Sequence, residues 1–134
     1  MSAISIGVVT SPSRLILSRE VGFEAETLAA EALKGDGYDI LERNYSCRMG
    51  EIDIIAMKDG FICFVEVKYR RPSGHGTAVD AITKSKLRKI MKASRDYLYQ
   101  TGQADVDYRI DAVVIDSDRV EILPNIYTEG MNDV

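Results

Sequence analysis

Two short segments hold the residues best suited to chemistry. Gly50-Glu51-Ile52-Asp53 and Glu66-Val67-Lys68 set acids and a lysine inside apolar runs with the period of two expected of strands. Charge buried on such strands is costly unless it is paired or bound to a metal. Lys58-Asp59-Gly60 lies between the runs, and Asp-Gly is a strong signal for a two-residue hairpin loop. With Asp59 and Gly60 as the loop, Lys58 faces Phe61. The count then puts Asp53 opposite Glu66 and Glu51 opposite Lys68. Opposed side chains have Cβ atoms about 4.5–5.5 Å apart, and like charges there repel. A hard divalent cation would offset the repulsion, since Mg²⁺ favours one or two carboxylates together with waters and phosphate oxygens. The competing reading is a ladder of ion pairs, Glu51 with Lys68 and the other acids with arginines.

These strands need a sheet and covering helices to hold them. Residues 19–35 are expected to form a helix with Val21, Ala25, Leu28, Ala29 and Ala32 as its apolar stripe, stopped by Gly35-Asp36-Gly37. Glu26 borders that stripe, beside Gly22 and Ala29, and can lean towards a site on the sheet or snorkel to water. A first strand is expected over 38–45, the hairpin supplies two more, and 71–76 reads as a loop. A second helix near 83–100 has Leu87, Ile90, Met91, Ser94 and Leu98 inside and Lys84, Arg88, Lys92 and Arg95 outside. Lys86 borders its inner face as Glu26 does on the first helix. Strands at 108–116 and 120–123 follow. Residues 1–18 read as an N-terminal arm, 19–128 as one domain, and 129–134 as a frayed tail. The order implies an α/β fold with a central mixed sheet of about four to five strands flanked by helices.

The chain has 134 residues, 46% hydrophobic and 28% charged, the balance of a single globular domain. No apolar run approaches the ~20 residues of a membrane helix, and Ile4–Thr10 is too short for a signal peptide. A cytoplasmic protein is expected. Cys47 and Cys63 lack metal-ligand spacing and read as reduced and structural. His75, the one histidine, sits in a loop-forming stretch with no catalytic partner set around it. Net charge is −4, yet residues 68–95 hold nine of the 17 basic residues against one acid, a local +8. A basic patch on an acidic domain suits a polyanion bound locally; a well-solvated helix face would look the same.

Several spaced motifs resemble the YraN-like family of small bacterial proteins, placed within the PD-(D/E)XK nucleases beside restriction enzymes and Holliday junction resolvases. They are Gly22-x-x-x-Glu26-x-x-Ala29, Gly37-Tyr38-x-Ile40-Leu41-x-Arg43-Asn44, Arg48-x-Gly50-Glu51-Ile52-Asp53, and Phe64-Val65-Glu66-Val67-Lys68-x-Arg70. Lys86 with Ala93 and Tyr97-Leu98, and Arg109-x-Asp111, complete the set. The resemblance spans roughly residues 20–128. It implies a restriction-endonuclease-like fold and a metal-dependent endonuclease acting on structured DNA in repair or recombination. Glu26, Asp53, Glu66 and Lys68 match the catalytic positions, with Asp53 and Glu66 as ligands of Mg²⁺ or Mn²⁺. Arg70, Arg71 and Lys86 would hold phosphates. The proline that names the motif is replaced by Ile52. A homodimer is a further expectation, because resolvase-like nucleases pair to cut two strands. The rival readings are a nucleic-acid-binding module of nuclease-like fold without chemistry, and a protein-interaction domain.

Overall fold

A computed structural model describes residues 4–8, 18–70, 78–116 and 119–127. The elements run β1 (Ile4–Val8), α1 (Ser18–Gly35), β2 (Asp39–Cys47), β3 (Gly50–Lys58), β4 (Phe61–Arg70), a 3₁₀ turn (Ala78–Ala81), α2 (Lys84–Gln100), β5 (Tyr108–Asp116) and β6 (Arg119–Leu123). The strands form one sheet in the order β1-β6-β5-β4-β3-β2. Only β4 and β5 run parallel; every other neighbouring pair is antiparallel. A parallel pair needs a long crossover connection, and α2 supplies it. The fold is thus the α/β mixed sheet with flanking helices read from the sequence, and consistent with a restriction-endonuclease-like architecture. The N-terminal arm adds a strand, β1, which pairs with β6 at the sheet edge. Residues 71–77, with Arg71 and His75, and the tail at 128–134 lie outside the described residues.

Local chemistry places the element ends. Both helices stop at a glycine in the left-handed region, Gly37 at φ 90° and Gly102 at φ 69°. In each case the next residue's N–H reaches back to the last turn, Tyr38 to the Leu33 carbonyl at 2.9 Å and Gln103 to the Leu98 carbonyl at 2.8 Å. This Schellman arrangement satisfies carbonyls that a helix end leaves without partners. Thr83 caps α2 by accepting from the Lys86 N–H. Asp59 and Gly60 take φ 51° and 84°, the paired positive values of a type I′ hairpin.

The sheet separates two cores. On one face, Ala25, Ala29 and Leu33 of α1 pack on Ile54, Ala56, Cys63, Val65, Val113 and Ile115. The small residues let α1 approach the sheet closely. On the other, Leu87, Ile90, Met91 and Leu98 of α2 pack on Ile52, Ile55, Phe64, Ile110 and Val114. Tyr97 meets Tyr45 and Phe64 edge to face, with centroids 5.2 and 5.7 Å away.

Asp111 of β5 is fully buried in the α1-side core, and its charge is fully used. It accepts from the Tyr38 hydroxyl at 2.7 Å, the Arg109 Nε at 2.9 Å and the Asn125 backbone N–H at 2.9 Å. The Arg109 guanidinium lies over the Phe61 ring, 5.2 Å from its centre. Arg109-x-Asp111 therefore pins the α1–β2 turn and the segment after β6 to the sheet. That is structural work on the opposite face from α2.

Candidate active site

The hairpin register is as the Asp-Gly loop requires from Lys58↔Phe61 through Ile54↔Val65, and there the β3–β4 ladder ends. One residue further, the expectation of direct opposition fails. Asp53 and Glu66 are not ladder partners, and neither are Glu51 and Lys68. The reason is Asp53 itself. Its carboxylate accepts the backbone N–H of Val67 at 2.8 Å, taking the place of a strand partner. β3 stays paired with β2 as far as Cys47↔Gly50, so β3 and β4 fork apart at this level. Glu51 turns to β2, where it accepts a long 3.4 Å hydrogen bond from Ser46. It takes no part in the site.

The fork still gathers the acids that the sequence singled out. Glu66 is buried, and burial first, then the Asp53 charge, pushes its carboxyl up to about 8. A hydrogen bond to Asp53 adds to the rise, while Lys86 and Lys68 oppose it. The Lys86 Nζ lies 3.9 Å from Glu66 Oε2, so α2 delivers its edge lysine to the site. Lys68, two residues on, is exposed.

Glu26 reaches the same cluster from α1. Burial raises its pKa, and the Asp53 charge is the next cause; Arg43 and Asn44 pull the other way. The Arg43 guanidinium is 3.6 Å from Glu26 Oε1, near enough for an ion pair, yet that oxygen is buried without a hydrogen-bond donor. Three acids crowd together, and one buried oxygen lacks a partner: a cation would relieve both. Among the described residues no three ligating side chains form a cage by themselves. Mg²⁺ does not require one, because it keeps several waters and takes one or two carboxylates. Asp53 and Glu66 fit that demand.

Glu26, Asp53, Glu66, Lys68 and Lys86 are thus brought into one charged cluster. Arg70 is drawn elsewhere: it makes a 3.2 Å ion pair with Asp116 of β5. Cys63 is buried with its thiol pushed up to about 12, first by burial and then by the Asp111 charge, so it is no nucleophile. Two residues next to the site had no role assigned from sequence, Arg43 and Asn44. The available signal was asparagine within a strand, a poor strand former that tolerates positive φ.

The model of a family described as "Uncharacterised protein family UPF0102" matches residues 25–115, from the turn of α1 that holds Glu26 to the end of β5. The chain belongs to the UPF0102 family. A UPF0102 protein of Chlorobium chlorochromatii is 46% identical over 94 residues, covering 70% of this chain and 72% of its own. One from Vibrio parahaemolyticus is 39% identical over 119 residues, 87% of this chain and 98% of the relative. One from Clostridium perfringens is 39% identical over 109 residues, 78% and 89%. The UPF0102 match contains all five clustered residues. No helix among the described residues is long and apolar enough to cross a membrane.

Proposed function

We propose that this UPF0102 protein is a metal-dependent endonuclease that hydrolyses phosphodiester bonds in structured DNA, in repair or recombination. The observation that carries the reading is the fork between β3 and β4. There the ladder ends, the Asp53 charge acts on both Glu66 and Glu26, and the Lys86 ammonium stands 3.9 Å from Glu66. Simple packing gains nothing from such a group of charges.

Asp53 and Glu66 would hold Mg²⁺, or Mn²⁺. The Val67 N–H fixes the aspartate, and Glu26 reaches the same point from α1. The ion would supply Lewis-acid polarisation of a phosphate oxygen and acidify water. Lys68 would orient the attacking water and stabilise the charge that builds on the phosphorus oxygens. Lys86, half-exposed beside Glu66, serves a flanking phosphate once the acids are occupied. A cytoplasmic site and pairing of two copies, to cut two strands, belong to the same proposal, as does a phosphate contact by Arg71. Arg70 keeps a lesser role there, given its pairing with Asp116.

The test is a panel of labelled branched and linear substrates with Mg²⁺ or Mn²⁺. Cleavage should require the metal and vanish in Asp53→Ala and Lys68→Ala. Undiminished cutting by both folded variants refutes the mechanism. Salt-sensitive DNA binding without turnover on any substrate, unchanged by Glu66→Gln, would establish instead a binding module of the same fold.

A further inference from the structure

Asn44 is the one non-glycine residue with positive φ inside a strand among the described residues, at φ 57° in β2. The other two, Asp59 and Asn125, lie outside the strands. The consequence can be read from its neighbours. In a regular strand, residues two apart share a face. Arg43 and Tyr45 do not. Arg43 faces α1, pairing with Glu26 and donating to the Thr27 hydroxyl at 3.3 Å. Tyr45 faces α2, where its hydroxyl donates to Asp96 at 2.6 Å. Strand β3 reverses at the same level, because Arg43 pairs with Ile54 of the α1-side core and Tyr45 with Ile52 of the α2-side core. The residues between are Asn44 and Asp53. Both strands therefore turn over together at the level where β3 leaves β4, and the Asn44 side chain is among the groups that hold the Glu26 pKa down.

A strand interior has no need of a left-handed asparagine for its own stability, since any residue adopts extended backbone there and asparagine is a poor strand former. Sparsely populated backbone conformations gather at functional sites, where the surroundings hold them. We infer that Asn44 is a positioning residue for the candidate centre: its left-handed backbone turns β2 over at the level of Asp53 and sets its side chain and that of Arg43 beside Glu26. Arg43, carried to the α1 face by the same turn, supplies the opposing charge. The inference rests on the metal-site reading for its consequence, and on the backbone turn and the Arg43–Glu26 pair for its cause.

Two substitutions separate backbone from side chain. Glycine accepts φ 57° without strain but has no amide, whereas alanine loses the amide and resists the conformation. Mn²⁺ and Mg²⁺ binding is measured by calorimetry on the whole chain. Asn44→Gly should keep the native circular dichroism spectrum and lose affinity on the order of tenfold, the usual cost of removing a residue that orients a ligand. Asn44→Ala should lose more and melt at a lower temperature. Affinity unchanged in both variants overturns the inference. A second measurement needs no metal: a double-mutant cycle of Asn44→Gly with Glu26→Gln, read by thermal unfolding in EDTA. Coupled shifts support the Asn44–Glu26 link, and strictly additive shifts overturn it. A native protein that binds neither metal refutes the proposed function, and the cycle then decides the positioning role alone.

Discussion

Glu66→Gln should make the metal-free protein more stable, and by an amount that grows with pH. The carboxyl is pushed from an ordinary value of 4.5 up to about 8, burial being the first cause and Asp53 the second. The folded state therefore holds a proton that the unfolded chain releases. Below about pH 4.5 the folded state is at no disadvantage, and stability falls as pH rises from there to about 8. Each unit of difference is worth about 1.4 kcal/mol, so the loss accumulated by pH 7 has a ceiling of about 3 kcal/mol. The side chain is only 10% exposed, so screening removes little of this, although relaxation around the charge will take a share. Glutamine keeps the shape of the protonated acid and cannot ionise. With a urea slope of about 1–3 kcal/mol per M, the variant should unfold about 1 M later than the native chain at about pH 8. At about pH 4.5 the two midpoints should coincide. The assay is urea unfolding in EDTA at half-unit steps between about pH 4.5 and about pH 8.5, the window that the shift defines. Adding Mg²⁺ should then stabilise the native chain, because a ligand that binds only the folded state shifts the balance by mass action, and leave the variant little changed. A native-to-variant gap that is constant with pH, or that narrows as pH rises, would refute burial and the Asp53 charge as the controls on Glu66.

Three further substitutions have expected outcomes. Asp111→Ala should cost about 3–5 kcal/mol, because it strips a buried charge network and leaves Arg109 without its partner, and Tyr38→Phe about 1.5–3 kcal/mol for one hydrogen bond to a charged group; both are read by urea unfolding, and neither should change metal affinity. Lys86→Ala should weaken DNA binding across sequences and lower the slope of log K against log salt by about 1; an unchanged slope in a fluorescence titration would remove Lys86 from the phosphate contacts.

The parts of this structure that were legible in the sequence are those set by local rules. Asp59-Gly60 dictated the hairpin turn, and the turn dictated the register as far as Ile54↔Val65. The apolar stripes of α1 and α2 marked the helices, and 3.6-residue spacing put Glu26 and Lys86 at the edges of inward faces. Both helix edges then meet the sheet where expected. What periodicity could not show was the fork. Extending a ladder by counting assumes that backbone pairs with backbone. Here Asp53 breaks the count by giving its carboxylate to the Val67 N–H. The same logic hid the reversal at Asn44, since a pattern of period two has no symbol for a residue that changes face. The pairing of Arg70 was hidden for a third reason: its partner, Asp116, lies 46 residues away and comes alongside only when β4 and β5 pair in parallel. In each case the departure from the local pattern is a side chain satisfying a need created by tertiary structure. Two of the three lie in or beside the charged cluster. A site that must hold several like charges together cannot be built from regular strands alone, so irregular backbone at Asn44 and Asp53 is where a function would be sought even without the acids.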